Sequence, residues 1–391
     1  MTLPASPDAP STLTALGYDS GPWPALLAAI DPTARHGRVT RADRGAATVA
    51  TADGSVRATW TPTTDPPVTG DWVAVDDDGA LVGIAERRTA ITRPAKHVGY
   101  RTDGTPDQVL AANPDLVGVV VAIDGDDLPV RRVERGIVMA YESGAIPLVI
   151  ATKADLCEDL DLTVRQLEAA TTGVDVLVVS GTTGDGIAEL ADRLAPDRTL
   201  AVLGASGAGK STLTNALVGH DALAVGHVRH GDRKGRHTTA HRELVTLPIG
   251  GAVLDTPGLR TLSLGQVADG IDRAFPEVEA LAAACRFGDC RHESEPGCAV
   301  LAALDDGGLD ADRFEGFRRI RAEAENAALR ADTAAWRAQA RSWGVIGREA
   351  TRGGARSAAA ARGARRGARQ PAAAAGARRA ARQRAAGPRA R

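Results

Sequence analysis

Between residues 113 and 258, short apolar runs alternate with longer stretches whose apolar residues recur at helical spacing. Continuous apolar runs rich in Val, Leu and Ile are typical of parallel strands that are buried on both faces. The runs are Leu116–Ile123, Pro147–Thr152, Val174–Ser180 and Thr199–Gly204, and the helical stretches between them are Pro129–Ser143, Leu162–Thr171 and Gly186–Leu194. This alternation predicts a doubly wound α/β sheet.

The segments on either side of this region follow other patterns. From Gly37 to about Arg93, short alternating segments are broken by Gly, Pro and Asp. This rhythm predicts a small antiparallel barrel of about five strands, which is either purely structural or an oligonucleotide-binding barrel. Residues 1–34 are rich in Pro and Ala, with one short predicted helix at Trp23–Ile30. Beyond the α/β region, helices are expected from Asp312 to about Ser342.

The net charge of −2 hides an asymmetry between the body of the chain and its end. Of the 47 basic residues, twelve arginines lie in residues 351–391, and the remaining 35 face all 49 acidic residues, a net charge of −14 for residues 1–350. The Arg/Ala/Gly end has no apolar face, so we expect it to be disordered. No signal peptide is evident, and the longest apolar run is too short to cross a membrane. These features indicate a cytoplasmic protein without membrane partners.

Residues 204–211, GASGAGKS, match the phosphate-binding pattern G-x-x-x-x-G-K-[ST] between a predicted strand and a predicted helix. Glycines let backbone N–H groups approach phosphates closely, and the helix N-terminus adds partial positive charge. Lys210 is expected to reach the β- and γ-phosphates, and Ser211 to ligate Mg²⁺. The predicted nucleotide-binding residues here are Gly204, Ala205, Ser206, Gly207, Ala208, Gly209, Lys210, Ser211 and Thr212.

The segment GGAVLDTPG, residues 250–258, places Asp255 at the end of another predicted strand. There it can hold Mg²⁺, while the Gly258 N–H meets the γ-phosphate. The polar, basic segment 231–244 between the two motifs is typical of a switch that Mg²⁺ and a triphosphate would order. Thr238 or Thr239 is the expected Mg²⁺ ligand within it.

The residue after DTPG is Leu259, whose apolar side chain cannot orient a water molecule. Intrinsic hydrolysis should therefore be slow, with the water positioned by another group or by a partner. His237, beside the threonine pair, is the candidate catalytic residue. The alternative role for His237 is a solvent-facing or RNA-contacting side chain.

The stretch ATKADL, residues 151–156, predicts guanine recognition. Asp155 can accept hydrogen bonds from guanine N1–H and the exocyclic amine, and the stem of Lys153 can lie over the ring. A strand-end Lys followed by a helix-capping Asp is the structural alternative. The strand-to-loop turn at Ser180 and Gly181 could bring a backbone N–H to guanine O6. Both base-recognition elements precede the phosphate loop in the chain, an order that a circularly permuted GTPase would have.

Cys285, Cys290, His292 and Cys298 follow the spacing C-x₄-C-x-H-x₅-C. Three thiolates and one imidazole make a closed tetrahedral set that suits one structural Zn²⁺ and leaves no open position for catalysis. The alternative is a chance group of buried thiols.

Residues 36–340 resemble the RsgA/YjeQ family of circularly permuted GTPases that depend on the small ribosomal subunit. The resemblance rests on GDWVAV, ANPD, TKADL, SGTTGDGIAEL, GASGAGKSTLTNAL, GRHTTAHREL, LDTPGLR and CRFGDCRHESEPGCAV, in that order. It implies a multi-domain fold, with an N-terminal OB-fold barrel, a central permuted α/β P-loop GTPase domain and a C-terminal zinc-binding helical domain. The expected divisions are an extension at 1–35, the barrel at 36–95, the GTPase domain at 96–264, the zinc domain at 265–346 and the tail at 347–391.

The resemblance also implies a function. It implies a monomeric GTPase that binds GTP and GDP, the 30S subunit and 16S rRNA, and whose hydrolysis the 30S subunit stimulates late in maturation of that particle. Candidate rRNA contacts are Arg87, Arg88, Arg93 and Lys96.

Two features depart from the family pattern. The base-recognition motif usually begins with Asn, where this chain has Thr152. Guanine preference should survive through Asp155. The Arg/Ala tail matches nothing in the family and is either an RNA-binding extension or a solubilising tail.

Two other classes of function remain open from the sequence. One is a GTP switch with a non-ribosomal protein effector, which GTPase stimulation by 30S subunits would distinguish. The other is an ATP-dependent kinase-like enzyme, against which Asp155 argues.

Overall fold

The computed structural model of the chain describes residues 12–61, 65–93, 108–125, 127–219, 242–255 and 268–329. All of them except Leu329 belong to one compact unit. The strands are β1 (Arg35–Ala42), β2 (Ala46–Thr51), β3 (Gly54–Thr59), β4 (Trp72–Val75), β5 (Leu81–Ile84), β6 (Ala90–Arg93), β7 (Gln108–Ala112), β8 (Leu116–Ala122), β9 (Ile146–Thr152), β10 (Val176–Val179), β11 (Thr199–Gly204), β12 (Glu243–Thr246) and β13 (Ala252–Asp255).

The helices are α1 (Thr12–Ala15), α2 (Trp23–Ile30), α3 (Val130–Glu142), α4 (Leu160–Ala170), α5 (Ile187–Leu194), α6 (Lys210–Val218), α7 (Ala268–Ala274), α8 (Pro276–Ala282) and α9 (Ala299–Asp305). A further helix covers 311–329, the end of the described chain. No helix in the described ranges is long and apolar enough to cross a membrane.

The apolar runs predicted as strands form the parallel part of the central sheet. Its order is β10-β9-β8-β11-β13, followed by β12, which is antiparallel to β13. The residues of β8, β9 and β11 are almost all buried because helices cover both faces of a sheet of this kind. The strand before the phosphate loop, β11, lies between β8 and β13. Its carboxyl end therefore meets those of β8, β9 and β13 at one edge, where ligands bind in such sheets.

Strands β1 to β5 pair antiparallel, in agreement with the alternating pattern of the sequence. A bridge between Thr59 and Ala80 joins the end of β3 to the start of β5 and closes the barrel. Its interior is filled by small and branched side chains, among them Val39, Val49 and Val73. Strand β6 lies outside the barrel and pairs with β7 in a separate two-stranded sheet.

The barrel and the α/β sheet are continuous, which the sequence pattern does not predict. Strand β1 pairs with β12 through Arg41 and Glu243. Arg38, also on β1, is 2% exposed and donates hydrogen bonds to the Leu16 carbonyl at 2.6 Å and the Thr199 hydroxyl at 2.7 Å. It also donates to the carbonyls of Asn113, at 3.0 Å, and Gly70, at 3.3 Å. Burial lowers the pKa of the Arg38 guanidinium to about 10.

The N-terminal helices pack into the joint between the barrel and the sheet. Trp23 and Leu27 of α2 are buried in the same apolar cluster as Trp72 of the barrel and Leu203 and Leu254 of the sheet. Helix α2 has the predicted bounds. The Pro- and Ala-rich composition did not indicate that this segment would be part of the core.

The C-terminal helices pack on the sheet through α3. Gly270 of α7 approaches α3 so closely that a Cβ there would lie 2.6 Å from the Val138 carbonyl. Arg313, on the 311–329 helix, is 6% exposed, donates to Glu277 at 2.6 Å and to the Ala170 carbonyl at 2.9 Å, and lies 3.6 Å from Glu134 of α3. One buried guanidinium therefore joins the C-terminal helices to α3 and α4.

Candidate nucleotide and metal sites

The phosphate loop connects the end of β11 to the start of α6. Gly207 and Gly209 have φ values of 80° and 85°, which lie in the left-handed region that glycine adopts without strain. Lys210 is the first residue of α6, and its ammonium group donates to the carbonyls of Gly204 at 2.9 Å and Ala205 at 2.6 Å. The loop thus has left-handed turns at two of its glycines, and the Lys210 ammonium group lies against the carbonyls at its start.

Asp255 ends β13 beside this loop and pairs in register with Val202 of β11. It is 6% exposed, and burial raises the pKa of its carboxyl, an effect that the nearby charge of Lys210 opposes and that of Glu243 reinforces. A buried carboxylate is well suited to a cation, because burial otherwise penalises its charge. Ser211 lies one residue into α6 and is half-buried.

Thr152 connects the base-recognition segment to the phosphate loop. It is the last residue of β9, is 3% exposed, and its hydroxyl lies 2.7 Å from the Ala208 carbonyl and 3.2 Å from that of Val121. One hydroxyl has one proton, so the shorter contact is the better hydrogen bond. A Cβ on Gly209 would lie 3.4 Å from the Thr152 hydroxyl, so the two segments are in direct contact.

The rest of the base-recognition segment is held by two hydrogen-bonded contacts. Lys153 has a φ of 63°, and its ammonium group lies 2.6 Å from the carboxylate of Asp124, which follows β8. Asp155 lies in a 3₁₀ turn and accepts a 2.6 Å hydrogen bond from Ser180. Ser180 is fully buried, so its side chain sets the orientation of the Asp155 carboxylate. A Cβ on Gly181 would lie 3.0 Å from the Thr212 methyl group, so this turn contacts α6.

The contacts of Ser180 and Asp124 show what could and could not be predicted. The sequence indicates Ser180 only as part of a backbone turn, whereas the structure gives its hydroxyl a direct contact with Asp155. Asp124 was not predicted at all. The available signal was its position after β8, since the carboxyl ends of adjacent parallel strands share one edge.

A cavity of about 880 Å³ opens beside the phosphate loop. It extends from the loop residues 204–208 past Lys153 and Asp124 to Arg132 on α3. Arg135, which also lines it, forms a 2.9 Å ion pair with Glu323 of the 311–329 helix. The wall of this cavity therefore includes residues from both the sheet region and the C-terminal helices.

Several predicted site residues lie outside the described part of the chain: His237, Thr238, Thr239 and Gly258. Lys96 and the Arg/Ala tail also lie outside it. Of the other candidate rRNA contacts, Arg87 forms a bidentate pair with Asp71 at 2.7 and 2.8 Å, and Arg93 donates to Gln108. The Arg87 guanidinium is thus engaged within the protein.

Cys285, Cys290, His292 and Cys298 come together in the loop between α8 and α9, with their ligand atoms all within 4.8 Å of one another. The Cys285 and Cys298 sulfurs are 3.8 Å apart, and His292 Nδ1 lies 3.7 Å from the first and 3.3 Å from the second. A tetrahedral Zn²⁺ site with Zn–S of about 2.3 Å and Zn–N of about 2.0 Å has S···S edges of about 3.8 Å and S···N edges of about 3.5 Å. The distances among Cys285, His292 and Cys298 therefore match the edges of such a site, and the Cys290 sulfur lies within 4.8 Å of all three ligand atoms. Burial lowers the pKa of His292, which favours the neutral imidazole that a metal requires.

Comparisons with known proteins agree with this combination of sites. The RsgA GTPase family model matches residues 84–265. The small ribosomal subunit biogenesis GTPase RsgA of Streptomyces coelicolor is 43% identical over 374 residues, covering 91% of this chain and 100% of the relative. The protein of the same name from Opitutus terrae is 46% identical over 294 residues, covering 72% of this chain and 78% of the relative.

Two solved structures share the fold at 24% identity and a TM-score of 0.54: YjeQ from Thermotoga maritima, and YloQ, described as a circularly permuted GTPase. They cover 73% and 75% of this chain, and 96% of each of those chains is matched. The fold likeness agrees with the observed strand arrangement, in which β8 and β9 precede β11 in the chain yet share its sheet. The chain therefore belongs to the RsgA family of circularly permuted GTPases, enzymes that hydrolyse GTP.

Proposed function

We propose that this chain hydrolyses GTP to GDP and phosphate when it is bound to the 30S ribosomal subunit, late in the maturation of that particle. The names of the RsgA relatives, small ribosomal subunit biogenesis GTPases, support this role. The observation that carries the enzymatic part is the contact between Thr152 and Ala208, because it brings the base-recognition and phosphate-binding segments together despite their inverted order.

In the proposed complex, backbone N–H groups of residues 204–209 bind the phosphates, together with the N-terminus of α6. Lys210 leaves the carbonyls of Gly204 and Ala205 and turns to the β- and γ-phosphates. Mg²⁺ would be held by Ser211 and Asp255, with Thr238 or Thr239 from the switch segment, and Gly258 would contact the γ-phosphate. The metal supplies neutralisation of the charge that develops on the transferred phosphoryl group.

Guanine would be bound at the ends of β9 and β10. Asp155 accepts from guanine N1–H and the exocyclic amine, with its orientation set by Ser180. Lys153 covers the ring with its stem while Asp124 holds its ammonium group. The Gly181 N–H is the proposed donor to guanine O6. His237 is the proposed group that positions the attacking water.

The barrel is proposed to be an OB-fold that docks on 16S rRNA. Its cyclic strand order, β1-β2-β3-β5-β4, supports this assignment, since the OB-fold is a five-stranded barrel that binds oligonucleotides. We propose the divisions 1–35, 36–95, 96–264, 265–346 and 347–391 as functional regions. Helices α1 and α2 of the first region pack against the barrel. The protein is proposed to act as a cytoplasmic monomer.

The Cys285, Cys290, His292 and Cys298 set is proposed to hold one structural Zn²⁺. All four tetrahedral positions come from the protein, so the metal would stabilise the loop between α8 and α9. Because no coordination position is left for a substrate, no catalytic step is assigned to this metal.

The decisive experiment measures GTP hydrolysis by the purified chain alone and with purified 30S subunits. We expect slow turnover alone and a large stimulation by 30S subunits, with 50S subunits as the matched control. The same assay on a chain ending at residue 350 tests whether the Arg-rich tail adds affinity for the particle at low salt. Equal turnover with and without 30S subunits would reject the ribosomal role, and a preference for ATP in competition would reject the guanine assignment.

A further inference from the structure

We propose that Glu295 is a positioning residue of the metal site, whose carboxylate clamps the loop around His292 in the shape that binds the metal. This inference rests on the metal assignment proposed above. Glu295 is not a ligand itself, and the four-residue ligand set is complete without it.

Three backbone N–H groups donate to the Glu295 carboxylate. Oε1 accepts from Arg291 at 2.9 Å, and Oε2 accepts from Glu293 at 2.9 Å and from Ser294 at 3.0 Å. We call this set of three hydrogen bonds the Glu295 clamp. Arg291 and Glu293 are the two sequence neighbours of His292, so the two carboxylate oxygens hold the chain on either side of the metal-binding histidine.

The clamp acts on a residue whose backbone conformation is unfavourable. His292 has a φ of 62°, in the left-handed region that is unfavourable for a residue with a side chain. This turn directs the imidazole inward, where the ring is 5% exposed and Nδ1 is 3.3 Å from Cys298. The backbone N–H groups of Arg291 and Glu293 both donate to Glu295, so the clamp restrains the chain on both sides of this strained turn.

Glu295 also connects the histidine to the last cysteine. The Cys298 N–H donates to the Glu295 carbonyl at 3.3 Å, and Pro296 and Gly297 complete the turn between them. The side chain of Glu295 thus holds the loop before it, and its backbone holds the loop after it. A single residue couples the positions of two of the four ligands.

Geometry rather than charge accounts for this role. Three thiolates around a divalent ion already leave a net negative charge, so an additional carboxylate brings no electrostatic gain to the ion. The Glu295 carboxylate acts instead by accepting hydrogen bonds from the three backbone N–H groups. A residue that keeps the charge but not the reach should therefore fail to replace Glu295.

The test measures Zn²⁺ affinity of the full chain by competition with a chromophoric chelator. Outer-shell residues of metal sites typically account for 10- to 100-fold in metal affinity. We expect a loss in that range for Glu295→Ala, a smaller loss for Glu295→Gln, which keeps one acceptor oxygen, and little rescue by Glu295→Asp, which keeps the charge on a shorter side chain.

The matched control is Glu293→Ala, which removes an exposed carboxylate of the same loop whose backbone N–H alone takes part in the clamp. It should bind Zn²⁺ as the wild type does. The Co²⁺-loaded proteins provide a second readout, because the visible absorption of tetrahedral thiolate-bound Co²⁺ should weaken in Glu295→Ala and not in the control.

The outcomes separate this inference from the assignment on which it depends. A wild-type chain that takes up no Zn²⁺ would reject the metal site itself. Wild-type binding of Zn²⁺ with equal affinity in Glu295→Ala, or equal losses in Glu295→Ala and Glu293→Ala, would reject the clamp. If Glu295→Ala does not fold, as judged by GTP binding, Glu295→Gln and Glu295→Asp are compared instead. Weaker Zn²⁺ binding in Glu295→Asp than in Glu295→Gln would support the clamp, and wild-type affinity in both would reject it.

Discussion

The hydroxyl of Thr152 donates a 2.7 Å hydrogen bond to the carbonyl of Ala208 and so joins the end of β9 to the phosphate loop. The two residues are 56 positions apart, with the base-recognition segment coming first in the chain. Since both segments begin at the carboxyl edge of the same parallel sheet, their order in the sequence does not affect their distance in space. Thr152 can thus make a contact that ties base recognition to phosphate binding.

Thr152→Val tests whether this contact matters for nucleotide binding. Valine has nearly the same shape but leaves the Ala208 carbonyl without its donor, and one neutral hydrogen bond contributes about 0.5–1.5 kcal/mol. We expect GTP and GDP to bind about two- to tenfold more weakly, as measured with a fluorescent nucleotide. Thr152→Ser, which keeps the hydroxyl, is the control. Equal affinity for Val and Ser variants would show that the bond is incidental.

Asp155→Asn should transfer base preference from guanine to xanthine. Asparagine offers an amide donor in place of one carboxylate oxygen, and xanthine has a carbonyl where guanine has its exocyclic amine. One charge-assisted hydrogen bond of about 1.5–3 kcal/mol would be lost and the other would no longer be charge-assisted, so GTP affinity should fall at least tenfold. XTP affinity should rise, as competition binding would show. Asp159→Asn is a suitable control because Asp159 only caps α4. Retention of GTP preference in Asp155→Asn would contradict the assignment.

His237→Ala tests the proposed water-positioning role, for a residue outside the described ranges. Loss of a positioned group in the transition state should lower 30S-stimulated turnover by about a hundredfold while leaving GTP affinity within twofold. His241→Ala, four residues along the same segment, is the matched control. Unchanged stimulated turnover in His237→Ala would assign the positioning of water to another group.

The pair Arg313 and Glu134 predicts how stability depends on pH. Burial raises the pKa of Glu134 above its usual 4.5, an effect that Arg313 opposes. The folded chain then keeps a proton that the unfolded chain has lost, so the free energy of unfolding should fall as pH rises from about 4.5 through the raised value. Urea unfolding over this pH range should show the slope in the wild type and a weaker slope in Glu134→Gln.

Removing the Arg313 guanidinium should lower the free energy of unfolding. Arg313→Met leaves a buried carboxylate without its partner, and breaking a buried pair in this way costs about 3–5 kcal/mol. The double variant Arg313→Met with Glu134→Gln should recover part of that loss, because it removes the buried charge of Glu134, while Glu277, whose side chain is 25% exposed, loses its partner but keeps contact with water. A single Arg313→Met variant as stable as the wild type at pH 7 would show that Glu134 is protonated or solvated there.

The local elements of this fold follow from short stretches of sequence. Helix α2 and strand β11 have their predicted bounds, and α3 and α5 each begin one residue later than predicted. Apolar runs and strand-to-helix turns are local signals, and so are the spacing of GASGAGKS and of the Cys/His set. Each of them involves residues that are close in the chain, so the chemistry of each could be inferred without knowing the fold.

The contacts that join distant segments could not be inferred in this way. Arg38 is one of many arginines in an Arg-rich chain, and nothing near it in the sequence indicates that it would be buried. Likewise, the pairing of Asp124 with Lys153 and the packing of α2 against Trp72 depend on which segments the topology brings together. Single charged residues on strands are ordinarily exposed, and only the tertiary arrangement reverses that expectation.

Arg38 also has a consequence for how this protein unfolds. Its donors are satisfied by oxygens from the N-terminal segment, the barrel and the α/β sheet, and a buried guanidinium left without these acceptors would be costly. If the barrel detached while the sheet stayed folded, the Arg38 guanidinium would either become exposed to water or stay buried without its acceptors. The barrel and the sheet should therefore unfold together. Calorimetric melting of these two parts should be a single cooperative transition, even though the sequence suggests two modules that could have melted separately.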